Sequence, residues 1–196
     1  MTAYREPVWS VPLAGRRVEI PSSLRGVRAA LEEARAAEFD AEAVRTPGAS
    51  LVYTVLDWAL PRWAAAEDPA AVARLRAGDF TGVLDGEGRP VAPSHPPRDP
   101  VTGERPSATY KTGFPVGSVT FPATIEGIRA ELRGERLAEF ERDIVSVPAQ
   151  ELVYATLRWG YPPERLAEED ALIDRLKAEL FAGVPRRDES DPGDDA

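Results

Sequence analysis

The chain has 196 residues, of which 43% are hydrophobic and 29% are charged, a composition typical of globular rather than disordered proteins. Its formal net charge of −9 weighs against a protein whose main task is to neutralise nucleic-acid phosphates or bind anionic lipid. It has no cysteine, which excludes disulfides, thiolate metal sites and a cysteine nucleophile. It has one histidine. No apolar run reaches the length of a membrane span, and the N-terminus MTAYREPVWS lacks the pattern of a signal peptide, so we expect a cytoplasmic protein without a membrane partner.

One stretch of the sequence occurs twice. Shifting the chain by 101 residues aligns residues 18–83 with residues 119–184 without a gap, and 27 of these 66 positions are identical. A match of this length predicts a tandem duplication. We expect copy 1 at 9–83 and copy 2 at 110–184, with an N-terminal lead at 1–8, a solvated Pro/Gly-rich linker at 84–109 and an acidic, disordered tail at 185–196.

Each copy begins with alternating apolar residues around a glycine, which predicts a β-hairpin. Pro12 and Pro115 disfavour a central position for the first strand of each hairpin. A helical period follows from Leu24 in copy 1 and from Ile125 in copy 2. Gly134 interrupts the period in copy 2 and predicts two short helices there, whereas the Ala-rich segment of copy 1 has no such break and could form one continuous helix.

Proline and glycine mark the remaining helices. We expect the next helix of copy 1 to begin after Pro47 and to end before Pro61. The last helix would extend past Phe80 and end at Gly82, as a C′ glycine ends a helix. The offset of 101 residues puts the corresponding residues at the same points of copy 2. The predicted fold class is α+β, mainly α with short β-hairpins: one hairpin followed by three or four helices, used twice in a pseudo-twofold arrangement.

Polar positions that are identical in both copies are the candidate functional residues. Six such pairs occur, and two of them, Glu67/Glu168 and Arg74/Arg175, are not taken as candidates. The candidates are Arg28, Arg35, Glu38, Tyr53, Arg129, Arg136, Glu139 and Tyr154. Spacings of seven and three residues would place the two arginines and the glutamate of each copy on one face of a continuous helix. Two interpretations remain open: ion pairs over the edge of the core, and a polar stripe that binds a partner. Over both of these we favour an intramolecular bridge in which Arg136 links two helices and Glu139 closes the pair, because identity in both copies fits a constraint of the fold more simply than two identical binding sites.

The apolar identities are expected to form the core. Trp58 and Trp159 are included among them, with an alternative role as exposed aromatic anchors for a partner. An enzyme site is disfavoured, because arginine with one glutamate and a tyrosine offers no obvious base, nucleophile or metal cage. We therefore expect no catalytic residue, no metal and no cofactor.

In copy 2, the sequence PATIEGIRAELRGERLAEFERDI is followed by PAQELVYATLRW. This stretch resembles short helical proteins of actinobacteria, many of which are assigned as antitoxins beside small toxin genes. Their pattern is a proline, an IRAxL helix, an ER-AEF helix and a third helix ending in RW. The matching positions are Ile128, Arg129, Ala130, Leu132, Glu135, Arg136, Glu139, Phe140, Arg158 and Trp159, and copy 1 carries Ala34 and Asp57 in place of Glu135 and Arg158. The resemblance implies neutralisation of a partner protein by direct contact, without catalysis.

Three classes of function follow from these observations. The leading hypothesis is a non-enzymatic protein-binding module, antitoxin- or immunity-like, that holds a partner protein, such as a toxin, through duplicated helical surfaces. The first alternative is a DNA-binding transcriptional regulator, against which the net charge of −9 weighs, although a local arginine face would suffice for DNA binding. The second alternative is a small-ligand or enzyme pocket between the two copies.

Overall fold

The computed structural model describes residues 6–98, 103–104, 106–114 and 117–164, together with Ala171 and Arg175. By its internal contacts the chain divides into two compact units, Met1–Gly160 and Tyr161–Ala196. The strands and helices between Val8 and Gly160 all lie in the first unit. In the second unit, residues 163, 164, 171 and 175 are helical. The predicted tail and most of the predicted last helix of copy 2 lie outside the described residues.

A β-hairpin opens the described chain. Strands β1 (Val8–Leu13) and β2 (Arg16–Pro21) pair antiparallel. The turn residues Ala14 and Gly15 have φ angles of 47° and 73°, the left-handed conformation that two-residue hairpin turns require and that glycine adopts at little cost. Side chains of β1 alternate between buried and half-buried, so one face of the hairpin packs on the core.

A third strand makes β1 the central strand of a small sheet. Strand β3 (Leu84–Asp85) pairs antiparallel with β1, giving the order β2-β1-β3. Pro12 is compatible with this position, since β3 pairs only with Trp9 and Ser10 and ends before it reaches the proline. The segment predicted as a solvated linker therefore begins with an edge strand, and Val91 within it is buried.

Five helices follow the hairpin in the first half of the chain: α1 (Leu24–Ala30), α2 (Glu33–Ala43), α3 (Gly48–Ala59), α4 (Ala64–Glu67) and α5 (Pro69–Arg76). Ser23 caps α1, its side chain accepting a hydrogen bond from the Gly26 N–H at 2.9 Å. The expectation of one continuous helix across α1 and α2 is wrong. Leu31 has an extended backbone (φ −96°, ψ 150°) and packs its side chain against the core, which ends α1.

The end of α5 also differs from the prediction. The helix stops at Arg76, and Gly78 (φ 92°) adopts the left-handed conformation that follows many helices. Gly82, the residue predicted to end the helix, lies in a later turn. Phe80 lies outside the helix and packs edge-on against Trp9, with ring centroids 5.8 Å apart. Copy 2 has Glu179 at the position of Gly78, so comparing the two copies directed attention to the wrong glycine.

The second half of the described chain repeats this element order: β4 (Thr109–Phe114), β5 (Gly117–Pro122), α6 (Ile125–Glu131), α7 (Gly134–Ile144), a 3₁₀ turn (Ala149–Glu151) and α8 (Leu152–Gly160). Strands β4 and β5 form a separate two-stranded antiparallel sheet. Moving the bounds of β2, α1 and α2 by 101 residues reproduces those of β5, α6 and α7. The same shift carries α3 onto the 3₁₀ turn and α8 together.

The described residues form a mixed α+β fold with eight α-helices and small antiparallel sheets, which confirms the predicted α+β class. One hydrophobic core draws on both halves and includes the fully buried Trp9, Phe39, Leu56, Phe140 and Leu152. Within the described part of the chain, no helix combines the length and the apolar character needed to cross a membrane.

Candidate functional site

The two halves of the fold are joined by main-chain hydrogen bonds that occur in reciprocal pairs. The Arg25 N–H donates to the Val145 carbonyl at 2.9 Å, and the Glu126 N–H donates to the Val44 carbonyl at 2.9 Å. Replacing the donor Arg25 by its equivalent in the other copy, Glu126, and the acceptor Val145 by its equivalent, Val44, converts the first bond into the second. A second pair obeys the same rule, from the Gly48 N–H to the Ala123 carbonyl and from the Ala149 N–H to the Ser22 carbonyl, both 2.7 Å long.

Arg28 and Arg129 each connect two helices beside this junction. Arg28 Nε donates to Asp40 Oδ2 at 2.8 Å, which links α1 to α2. Arg129 donates twice to Glu141, from Nε at 2.5 Å and from Nη2 at 2.8 Å, which links α6 to α7. A bidentate arginine–carboxylate pair fixes direction as well as distance. The interhelical bridge that we expected at Arg136 is therefore made by Arg28 and Arg129.

Both ion pairs stabilise the protonated form of their arginine and so raise its pKa. The hydrogen bond to Asp40 is the largest cause that raises the pKa of Arg28. The hydrogen bonds to Glu141 are the largest cause that raises the pKa of Arg129, with burial opposing them and the charges of Glu141 and Asp40 adding to them. The Arg129 side chain is 39% exposed and that of Arg28 is 61% exposed, so solvent screens the copy 2 bridge less.

The carboxylates of these bridges were absent from the sequence candidates. Asp40 and Glu141 occupy equivalent positions, 101 residues apart, but they differ in residue type. Counting identical residues therefore passed over them. Asp40 and Glu141 do match when the two copies are compared by side-chain charge instead of by residue type.

The two candidate tryptophans lie half-buried on the core. Trp58 packs on Phe39 with ring centroids 5.8 Å apart, and Trp159 packs on Phe140 at 5.7 Å. Their indole N–H groups donate to acidic side chains at equivalent positions, Glu42 and Asp143, both at 2.8 Å. Here too a glutamate in one copy corresponds to an aspartate in the other. Each tryptophan thus has core and hydrogen-bond partners within the fold.

Arg35 and Glu38 lie on α2, separated from Arg28 by the break at Leu31, so the single continuous helical face predicted for the three residues does not form. The Arg35 guanidinium lies over the Trp58 ring, 5.0 Å from its centroid. Glu38 is exposed and makes no hydrogen bond or ion pair with any residue that the structure describes.

Copy 2 arranges the equivalent residues differently. The arginine over Trp159 is Arg158, 5.4 Å from the ring centroid, and it also binds Asp143. Arg136 and Glu139, on α7, make no hydrogen bond or ion pair within the described part of the chain. Arg136 is half-buried and Glu139 is exposed.

The two candidate tyrosines bind the segment that connects the copies. The Tyr53 hydroxyl donates to the His95 carbonyl at 2.6 Å, and burial raises the pKa of Tyr53. The Tyr154 hydroxyl hydrogen-bonds with Ser94 Oγ at 3.0 Å, although the tyrosine is 57% exposed. Adjacent residues of the linker therefore contact equivalent tyrosines of the two copies.

Two concave regions adjoin the candidate residues. A cleft of about 370 Å³ lies between α1–α2 and α6–α7, with a mainly apolar lining that also includes Arg28 and Arg129. A more polar groove of about 760 Å³ is lined by Glu38, Tyr53 and the linker residue Pro97, among others. In the described ranges, no group of three or more histidine and acidic residues could hold a metal ion. Comparison of the chain with protein-family models, with curated proteins and with solved structures found no match.

Proposed function

We propose that the chain is a tandem duplication whose two copies are related by a pseudo-twofold axis. The reciprocal hydrogen bonds of Arg25 and Glu126 support this arrangement, because a twofold axis makes residue i contact residue j wherever j contacts i. The common offset of 101 residues in the bounds of the equivalent elements supports it further. On this arrangement, every surface of copy 1 has a counterpart in copy 2.

We propose that the protein is a cytoplasmic, non-enzymatic binding module, antitoxin- or immunity-like, that holds a partner protein through the duplicated stripe. The duplicated stripe comprises Arg35 and Glu38 on α2 with Arg136 and Glu139 on α7. One observation carries the proposal: Glu38, Arg136 and Glu139 are identical between copies, yet none has a hydrogen-bond or ion-pair partner among the described residues. The other polar candidates contact residues within the fold, and these contacts explain why the same residue type occurs in both copies.

The chemistry of the stripe fits a protein surface of mixed charge. Within each copy an arginine and a glutamate lie three residues apart on one helix, so a donor and an acceptor are presented side by side. Arginine pairs strongly with a partner carboxylate when the contact is shielded from water. Two equivalent stripes on one chain would let a partner with two contact sites bind more tightly than either stripe alone.

The same pattern does not favour DNA as the partner. A phosphate-binding face is typically a patch of clustered basic residues, whereas each arginine of the stripe has a glutamate one helical turn away. We therefore expect no shift of a DNA probe from the upstream region of the gene, even at about 50 mM salt.

The test is affinity purification of the tagged chain from its native source, with quantitative comparison of three forms. These are the parent chain, the stripe variant Arg35→Ala/Glu38→Ala/Arg136→Ala/Glu139→Ala, and the control Glu19→Ala/Arg62→Ala, which alters exposed residues outside the stripe. We expect one protein at near-stoichiometric yield with the parent and the control, and its loss with the stripe variant. Equal recovery with all three forms, or a parent chain that purifies alone, would overturn the proposal.

A further inference from the structure

The cleft between the copies has walls built from equivalent apolar residues. Its lining pairs Leu24 with Ile125, Ala43 with Ile144 and Val44 with Val145, at positions that are 101 residues apart. The reciprocal hydrogen bonds of Arg25 and Glu126 link α1 to the residue after α7 and α6 to the residue after α2, beside these walls. The cleft of about 370 Å³ is at the small end of the range for ligand sites, which runs from about 300 to 1,000 Å³.

Charged side chains also line the cleft. The charged lining residues are Arg25, Arg28, Asp40 and Arg129. A guanidinium has five N–H donors, and Arg28 uses only its Nε–H towards Asp40. Arg129 uses Nε and Nη2 towards Glu141. Within the described residues, both Nη groups of Arg28 and the Nη1 group of Arg129 make no hydrogen bond, so each arginine is held by its own carboxylate and keeps donors available.

We propose that this cleft binds a medium-chain saturated fatty acid, with its chain against the aliphatic walls and its carboxylate on the free N–H groups of Arg28 and Arg129. Paired guanidinium N–H groups match the geometry of a carboxylate. Asp40 also lines the cleft, and its negative charge favours a singly charged head group over a phosphate dianion.

The walls select for an aliphatic chain. Among the described lining residues, Phe39 is the one aromatic side chain, and the other apolar residues are branched or small aliphatic side chains. A flexible alkyl chain can follow such a surface and remove its own apolar area from water. The site uses residues outside the duplicated stripe, so its presence does not depend on the protein partner proposed above.

The experiment titrates the full chain with decanoate, octanoate and hexanoate and uses 1-decanol as the uncharged control, all below their micellar concentrations. We expect decanoate to bind at one molecule per chain and the affinity to fall about fourfold for each CH₂ removed. Decanol should bind at least tenfold more weakly than decanoate. Methyl NMR should place the ligand, with larger shifts at Ile125 and Ile144 than at Ile20, which lies in β2 and does not line the cleft.

Variants separate the head-group contact from general apolar binding. Arg28→Gln/Arg129→Gln should weaken decanoate binding tenfold or more, whereas Arg142→Gln, an exposed change on α7 outside the lining, should leave it unchanged. Arg28→Gln alone keeps the test available if the double variant fails to fold. The proposal is overturned if decanoate does not bind, if decanol binds equally well, if the arginine variants bind normally, or if the isoleucine methyl shifts lie elsewhere.

Discussion

Arg129 and Glu141 form a bidentate ion pair across α6 and α7, and its equivalent in copy 1, between Arg28 and Asp40, has a single hydrogen bond. Two groups differ among the polar residues that the copies share. Arg28 and Arg129 connect neighbouring helices of the fold. Glu38, Arg136 and Glu139, on the duplicated stripe, make no hydrogen bond or ion pair within the described part of the chain. The two groups should respond differently to mutation.

Arg129→Ala should lower the free energy of unfolding by about 1–2 kcal/mol, because it removes two charge-assisted hydrogen bonds that are only partly screened by solvent. Arg136→Ala should change it by less than about 0.5 kcal/mol, as surface substitutions without partners do. Urea unfolding of the two variants measures both values. Equal losses in the two variants would contradict the division between bridging and free arginines.

A side chain at position 48 should lower the free energy of unfolding. A Cβ at this position would overlap the Thr156 hydroxyl and lie 2.6 Å from the Tyr110 hydroxyl, so the α3–α8 contact would have to open. Gly48→Ala should cost about 1–3 kcal/mol of stability, as overpacking of a core does. Gly86→Ala is the matched control, since its Cβ would meet only Val8 at 3.8 Å. A Gly48→Ala chain that unfolds at the same urea concentration as the control would show that the helices are further apart.

Asp68 should make stability depend on pH in the acid range. Its carboxylate accepts hydrogen bonds from the Ala14 N–H at 2.8 Å and the Ala71 N–H at 3.1 Å, and these bonds lower its pKa. A lowered pKa stabilises the fold above the ordinary aspartate pKa of about 3.9, and this contribution is lost as pH falls through the lowered value.

Asp68→Ala should therefore lower the urea midpoint at pH 7, with a difference from the parent that narrows below about pH 4. The exposed change Glu19→Ala serves as the control. A difference that stays constant between pH 7 and pH 3 would show that the Asp68 contacts are independent of its charge.

Tyr53 and Tyr110 should make stability depend on pH in the alkaline range. Burial raises the pKa of both, so their stabilising contribution is complete below the ordinary tyrosine pKa of about 10 and is lost as pH rises through the raised values. Phenolate absorbance should show a late ionisation step that disappears in Tyr53→Phe/Tyr110→Phe. A step that is unchanged in the double variant would rule out this assignment.

Local rules predicted several elements of the fold. Glycine turns flanked by apolar alternation form the hairpins, and Pro47 and Pro61 flank α3. The break at Leu31 was missed because it depends on where that side chain packs, and no helix-breaking residue marks it. The edge strand β3 was missed for the same reason: two residues of a Pro/Gly-rich segment pair only because the edge of β1 lies next to them.

The candidate site was predictable only in part. Identity between copies found Arg28 and Arg129 but could not reveal that their partners are Asp40 and Glu141, since the acidic residue changes type while its charge and position are kept. The roles of Tyr53 and Tyr154 depend on the path of the linker, which brings Ser94 and His95 between them. No pattern along the chain encodes that path.

The most direct test of the duplicated stripe is the affinity of the recovered partner for three variants: Arg35→Ala/Glu38→Ala, Arg136→Ala/Glu139→Ala, and all four changes together. Loss of one stripe should weaken binding by about tenfold to a hundredfold, and loss of both should abolish it, because two linked sites act together. The thermal melt of Arg136→Ala/Glu139→Ala should match the parent, whereas the two variants without Arg35 also lose its contact with Trp58 and should melt slightly lower. A four-site variant that folds normally and binds the partner as tightly as the parent would contradict the account.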